Sequence, residues 1–233
     1  PMNGLRDASP GGSRRSAPSD ATDGSCVTAF SRDILPPKLV GLAHPTAGMP
    51  ALTDLVASRA RFADLVVLPR PYGEGKGAES EAVIEAAMFE GKAPVLVLPE
   101  KGLGEHVVPK RIVVAWNQSA EAMAAVRLAL PMLKQADTVN ITVIDPPAHG
   151  PERSDPGGLL CQFLVRHGVK AEVSVLARSM PRISDVLARH MRDVNGEMLV
   201  MGAYGHSRFR EAILGGATRN MLEQAETPVF LAH

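Results

Sequence analysis

Apolar runs that alternate with amphipathic stretches organise the second part of the chain. From Lys110 onward each run stops at a polar or glycine position, and the stretches between the runs carry apolar residues at helical spacing. Strands that alternate with helices are typical of right-handed βαβ units in a parallel sheet. The pattern predicts strands at RIVVAWN, VNITVID, AEVSVLA, MLVMG and PVFLAH, with helices after Ser119, at LLCQFLVRHG, at MPRISDVLARHMRD and after Thr218.

A shorter version of the same pattern precedes it. Residues 38–105 contain strands at LVGLAH, ADLVVLP and PVLVLP, with helices at MPALTDLVASRARF and EAVIEAAMF. Residues 1–37 are rich in Pro, Gly, Ser, Asp and Arg without any period, and only Val27–Phe30 is faintly strand-like. Such a stretch has too little apolar surface to order itself, so we expect a flexible or loop segment there.

An internal repeat links the two parts. The segment MPALTDLVA at 49–57 matches MPRISDVLA at 180–188, and Pro94-Val95 matches Pro228-Val229. Repeated supersecondary units indicate two copies of one fold. We therefore expect a first domain at 38–105 and a second at 106–233, with the first copy incomplete because residues 1–37 lack the helix and strand that the repeat requires.

A glycine-rich stretch follows the apolar run Met198–Met201. Gly202 and Gly205 come first, and nine residues later Gly215 and Gly216 precede Thr218, which opens an amphipathic segment. Glycines let backbone N–H groups approach an anion, and a helix N-terminus adds unpaired donors and a positive dipole end. The stretch predicts a phosphate-binding turn, with a tight strand–helix connection that uses glycines only for turning as the alternative.

This spacing closely resembles the ATP-binding signature of the universal stress protein family. The resemblance covers 110–233 in full and 39–101 more weakly. It implies an α/β fold of two doubly wound open parallel sheets with strand order 3-2-1-4-5, as in adenine nucleotide α-hydrolase-like proteins. With that order, strands at 39–44 and 63–68 have nothing between them, so we expect either a preceding segment or an incomplete first copy. The family usually has Ser or Thr where this chain has Gly216, and Thr218 is the candidate to supply that hydroxyl.

The resemblance and the rule that ligands bind where the strand order reverses also predict the site. Asn117 stands where the family usually has an acidic residue that contacts adenine and ribose. Trp116 either packs or stacks on a base, and His206 and Arg208 are either phosphate partners or solvated loop charges. The predicted nucleotide-binding residues are Ala115, Trp116, Asn117, Ser119, Ile144, Asp145, Gly202, Gly205, His206, Arg208, Gly215, Gly216, Ala217 and Thr218.

The corresponding stretch of the first copy, LPRPYGEGKGAES, departs from this pattern. Pro69 stands where the second copy has Gly202, and proline removes a donor and fixes φ, so we expect a degenerate site there. Gly73–Ala78 imitates a Walker or dinucleotide motif, but Arg70 and Gly77 occupy positions where a Walker motif needs Gly and Ser or Thr. Gly205-His206-Ser207 lacks the second glycine of a nucleophile elbow because Phe209 occupies that position.

Composition narrows the function classes. Lys and Arg together number 25 and Asp and Glu together number 25, so no net charge draws the chain to nucleic acid or an anionic membrane. No apolar run approaches the ~18 residues of a membrane span. The two cysteines, Cys26 and Cys161, form no metal-binding pattern, and the seven histidines are scattered, which predicts a reducing, cytoplasmic setting and no metal site.

These features lead to one main hypothesis. The chain is interpreted as a tandem universal-stress-type protein that binds ATP, with or without Mg²⁺, or another adenine nucleotide at the second domain and acts as a stress-response regulator. The alternatives are a nucleotide-independent interaction scaffold and a slow nucleotide hydrolase, for which no catalytic residue is assigned. The resemblance also implies dimer-like self-association, in which the last strands at 94–99 and 228–233 pair. In a tandem chain these strands can pair within one molecule, which leaves further dimerisation open.

Overall fold

The computed structural model describes residues 27–30, 40–42, 49–73, 76, 78–101, 108–146, 149, 154–203 and 216–233. The strands are β1 (Val27–Phe30), β2 (Val40–Leu42), β3 (Leu65–Pro69), β4 (Val95–Leu98), β5 (Arg111–Ala115), β6 (Thr138–Ile144), β7 (Ala171–Leu176), β8 (Met198–Gly202) and β9 (Val229–Ala232). The helices are α1 (Met49–Ala60), α2 (Ala78–Glu85), α3 (Ala120–Leu133), α4 (Gly158–Arg166), α5 (Ile183–Asp193) and α6 (Gly216–Gln224). None of the helices in the described part of the chain is long and apolar enough to cross a membrane.

The strands form one continuous sheet in the order β2-β1-β3-β4-β9-β8-β5-β6-β7. Strands β5 to β9 are mutually parallel and, numbered from β5, follow the predicted order 3-2-1-4-5. The α/β class and this order are confirmed. The expectation of two separate sheets is wrong in detail, because β4 pairs antiparallel with β9 and joins the two halves.

The join between β4 and β9 lies within the chain. Val95 pairs with Leu231 and Val97 with Val229, so the predicted pairing of the two last strands occurs intramolecularly. The core is shared across this seam, since Ile84 and Met88 of the first half belong to the same buried cluster as Leu199 and Leu222 of the second. The two halves therefore bury one common apolar layer.

The first half differs most from the expectation. Strand β1 lies between β2 and β3 and runs antiparallel to both, where the sequence pattern leaves a gap. It also lies inside residues 1–37, which the sequence analysis treats as loop. Antiparallel neighbours need only a short connection, whereas a parallel pair needs a crossover of a dozen or more residues. The segment 31–39 is long enough for the first kind of connection and too short for the second.

The second half has helices on both faces of the sheet. Helices α3 and α4 pack on one face with Ile112 and Val114 of β5, while α5 and α6 pack on the other face with Val113. The strands are apolar on both sides because both sides are covered, as in other parallel sheets. Because helices cover both faces of the sheet, the edge at the carboxyl ends of the strands is the one that stays open.

The helix expected at EAVIEAAMF in the first half changes its winding partway. Helix α2 ends at Glu85, and a π-helical turn continues through Ala86–Glu90. Gly91 closes this turn by donating its N–H to the Ala86 carbonyl at 2.9 Å. A Cβ at Gly91 would lie 2.6 Å from the Ala87 carbonyl oxygen, so glycine permits the close return of the chain.

Candidate functional site

The open edge of the second half has its topological switch point between β5 and β8. These strands are neighbours with Ala115 opposite Met201, and on the other side Ala115 lies opposite Thr142 of β6. The chain leaves β5 toward β6 and returns on the opposite side with β8. Because the connections that follow β5 and β8 run to opposite sides, a crevice opens outside the carboxyl ends of these strands. Open α/β sheets bind ligands in such a crevice.

Gly202 ends β8 in direct contact with the first turn of α3. A Cβ added there would lie 2.6 Å from the carbonyl carbon of Glu121 and 2.8 Å from the Cα of Ala122. Both of these are backbone atoms, which cannot move aside as the end of a side chain can. Glycine is therefore required at Gly202 by the close approach of two backbones.

The N-terminus of α3 forms one wall of the crevice. Ser119 caps the helix, as predicted, by accepting the Ala122 N–H on its Oγ at 3.1 Å. The Ser119 N–H in turn donates to Asn117 Oδ1 at 3.1 Å. Because a backbone N–H can only donate, the bonded atom is the carbonyl oxygen, and the exposed Asn117 amide keeps two N–H donors.

Gln118, between these two residues, is a feature that the sequence did not reveal. Its φ is 64°, in the left-handed region, and its side chain is exposed. Such a conformation costs a residue with a Cβ roughly 1–2 kcal/mol. Only a glycine would have signalled it in the sequence, so no pattern could have found it.

Trp116 lies inside the core beside the crevice. It is 9% exposed and packs in the cluster that contains Val126 of α3 and Leu160 of α4. Its indole Nε1 has no hydrogen-bond partner among the described residues. Of the two alternatives for Trp116, packing and stacking on a base, the structure shows packing.

The end of β6 contributes Ile144 and Asp145. Ile144 is half-buried and packs against the core under α5 and α6. Asp145 has φ 49° and donates its backbone N–H to the Leu176 carbonyl at 2.9 Å, which leaves its carboxylate exposed at the edge. The edge therefore carries an acceptor at Asp145 and donors at Asn117.

Part of the glycine-rich stretch is described. Helix α6 begins at Gly216; Gly216 and Ala217 are exposed, whereas Thr218 is 3% exposed. The hydroxyl that the sequence analogy offers to phosphate thus belongs to a buried side chain. The remaining predicted residues, Gly205, His206, Arg208 and Gly215, lie outside the described residues.

The corresponding edge of the first half is built differently. Arg70 donates from Nε to the Tyr72 carbonyl at 3.1 Å and pairs through Nη2 with Glu100 Oε2 at 3.0 Å. The Tyr72 ring lies under the guanidinium of Arg219 of α6, 5.6 Å from ring centroid to Cζ. Burial first, and then the negative charge of Glu81, raise the pKa of Tyr72 above its ordinary value.

A polar cluster centred on the buried Asn140 lies under α5, and no pattern in the sequence predicts it. Asn140 Oδ1 accepts from Thr142 Oγ1 and from His190 Nε2, both at 2.9 Å. Asn140 Nδ2 donates to Glu172 Oε1 and Ser174 Oγ, also at 2.9 Å. Burial lowers the pKa of His190, an effect that the charges of Asp193 and Glu172 oppose. Among the described residues, no three His, Cys, Asp or Glu side chains are grouped so that they could hold a metal ion.

Comparison with known proteins agrees with this architecture. The model of the universal stress protein family matches residues 109–233, more than half of the chain. The chain therefore belongs to the universal stress protein family.

Individual relatives have low sequence identity to this chain. Universal stress protein Slr1230 of Synechocystis is 25% identical over 155 residues, which cover 66% of this chain and 50% of that protein. The chain thus spans about half the length of this curated relative. A universal stress protein structure from Archaeoglobus fulgidus has a TM-score of 0.58 at 18% identity, with 77% of this chain and 64% of that chain covered. A universal stress protein solved in complex with cAMP has a TM-score of 0.42 at 20% identity, with 54% and 98% covered. At 18% identity the Archaeoglobus structure is similar to this chain in fold alone.

Proposed function

We propose that the chain binds ATP, with or without Mg²⁺, or another adenine nucleotide in the crevice between β5 and β8, and regulates a stress response through that binding. The observation that carries the proposal is the switch point between β5 and β8, which the contact of Gly202 with the first turn of α3 places beside a helix N-terminus. The end of β8 thus lies against the start of α3, where the helix dipole favours an anion. Family membership and the glycine spacing support the same site.

The groups around the crevice suit different parts of a nucleotide. Asn117 offers two amide donors and Asp145 an exposed carboxylate, which match the mixed acceptors and donors of a base and ribose. Gly216 and Ala217 at the start of α6 are exposed and small, so they leave room for phosphate oxygens. We assign phosphate contacts also to Gly205, His206, Arg208 and Gly215 on the resemblance alone.

We also propose a single nucleotide site in the chain. Its domains would be 38–105 and 106–233, and only the second would bind the ligand. At the first-half edge Pro69 ends β3, and Arg70 and Tyr72 are engaged with Glu100 and Arg219. Those contacts occupy the groups that follow β3, and this supports a structural role for that edge.

Calorimetric titration tests the proposal. ATP, ADP and cAMP are each titrated into the full chain with and without Mg²⁺. Gly205→Val should weaken ATP binding by about tenfold or more, equivalent to about 1.4 kcal/mol, because a branched Cβ blocks backbone approach to phosphate. The matched control is Gly75→Val in the corresponding stretch of the first half, which should leave the affinity unchanged. Equal affinity in wild type and Gly205→Val would show that the assigned site is wrong.

Two alternative functions have distinct outcomes in the same experiments. A nucleotide-independent scaffold, which the uncharged Asn117 favours, predicts no heat with any nucleotide. A slow hydrolase predicts phosphate release over hours that Gly205→Val abolishes. A cytoplasmic location and further self-association of whole chains also belong to the proposal, and sedimentation with and without ATP addresses the second of these.

A further inference from the structure

One contact links the first half to the helix that begins at the candidate nucleotide site. Arg219 lies in the first turn of α6, directly after Thr218, and its guanidinium sits 5.6 Å from the ring centroid of Tyr72 in the first half. A cation over an aromatic face within about 6 Å is attracted by the ring quadrupole. The start of α6 is therefore attached to the other half of the molecule.

The Tyr72 end of this contact is fixed by the first half. Arg70 holds the Tyr72 carbonyl at 3.1 Å and is itself tied to Glu100, which follows β4, at 3.0 Å. The Arg70 backbone N–H also donates to the Leu98 carbonyl at 2.9 Å. Groups at the ends of β3 and β4 thus hold the backbone from which the Tyr72 ring extends.

The Arg219 end is fixed along α6. Its Nε donates to Glu223 Oε1 at 2.9 Å, one turn further along the helix. This pair fixes one side of the guanidinium group. Burial raises the pKa of Tyr72, the charges of Glu81 and Glu223 raise it further, and the charge of Arg219 lowers it.

From this geometry we propose that Tyr72 is a positioning residue for the candidate nucleotide site of the second half. The Tyr72 ring holds the first turn of α6 in place through its contact with Arg219. The role in nucleotide binding rests on the proposed function, whereas the restraint on α6 does not. The first half then acts as a support for the site rather than as a second site. Loss of the Tyr72 ring should loosen the first turn of α6 and leave α5, which does not share the contact, unchanged.

Amide hydrogen exchange on the full chain without ligand tests the restraint. Tyr72→Leu keeps apolar bulk and removes the ring, and we expect exchange at Asn220 to Leu222 to accelerate about two- to fivefold, the range for an exposed cation–π contact. Tyr72→Phe keeps the ring and should retain the wild-type rates. Glu223→Gln removes the charge of the helix ion pair and keeps the Tyr72 ring, so exchange at these amides should accelerate less than in Tyr72→Leu. An equal or larger acceleration would assign the restraint to the ion pair and overturn the role of the ring.

The exchange rates test the restraint on α6, and the calorimetric affinities test the role of Tyr72 in nucleotide binding. Unchanged exchange in Tyr72→Leu, or equal acceleration in Tyr72→Phe, would overturn the restraint whatever ATP does. Where exchange accelerates, calorimetry with ATP should show affinity weakened in Tyr72→Leu and restored in Tyr72→Phe, and an unweakened affinity would refute the positioning role. If wild type gives no heat with ATP, the nucleotide proposal fails, and the exchange result alone still decides the restraint.

Discussion

The same Gly→Ala substitution at Gly202 and at Gly216 should change stability in opposite directions. At Gly202 the new Cβ would lie 2.6 and 2.8 Å from backbone atoms of Glu121 and Ala122, so β8 and α3 must move apart. Forced overpacking of this kind typically costs about 1–3 kcal/mol. At Gly216, the first residue of α6, the new Cβ would meet nothing within 4 Å among the described residues. Removing the chain entropy of a glycine there should stabilise the fold by about 0.4–1 kcal/mol.

Urea unfolding followed by tryptophan fluorescence measures both variants. The chain has one tryptophan, Trp116, which is 9% exposed and adjoins the α3 contact, so its emission reports on this region. The two variants should differ by about 1.5–4 kcal/mol, the sum of the two effects. In a chain of this size each 1 kcal/mol corresponds to a change in Tm of about 2–4 °C. If Gly202→Ala falls within about 0.5 kcal/mol of wild type, the ordinary range for surface changes, the close backbone contact is not real.

Two further predictions concern the core and the buried histidine. Phe230 lies at the seam between the halves and is 1% exposed, so Phe230→Ala should lower the free energy of unfolding by about 3–5 kcal/mol. The matched control Phe62→Ala changes a side chain that is 88% exposed and should stay within about 0.5 kcal/mol of wild type. Similar losses in both variants would contradict the shared core. Because burial lowers the pKa of His190, the unfolded state binds the proton more readily, so the stability that neutral His190 provides is complete above pH 6.5 and declines as pH falls below it toward the folded-state pKa. Urea titrations at several pH values should show a steeper decline for wild type than for His190→Gln, which keeps a donor for Asn140, and parallel curves would refute the assignment.

The parallel part of the fold was predictable because its signals are long and mutually consistent. Continuous apolar runs give β5, β6, β8 and β9, and Ser119 gives the start of α3. The strand order then came from family resemblance, which the sheet confirms for the second half. Local pattern and tertiary structure agree wherever both sheet faces are covered by helices.

The features that escaped prediction depend on contacts between distant segments. Strand β1 has only four residues in a polar surrounding, and its place comes from pairing with β2 and β3. The polar cluster at Asn140 interrupts an apolar strand, and its distant partners come from β7 and from His190 of α5. The π-helical turn at 86–90 follows from the close return at Gly91. None of these causes is visible within a window of neighbouring residues.

The glycine-rich stretch shows which of its predicted roles depend on packing and which depend on a ligand. The sequence allows two interpretations of these glycines, a phosphate-binding turn and a tight strand–helix connection. Gly202 has a third explanation, which is the close approach of β8 to α3. Its missing Cβ is required by the backbone of Glu121 and Ala122, so this glycine would be needed even if no ligand bound. Gly216 has no such neighbour among the described residues, and Thr218 is buried. The glycines that bear on phosphate are therefore Gly205, Gly215 and Gly216, which is why Gly205→Val, rather than any change at Gly202, separates a ligand site from a packing constraint.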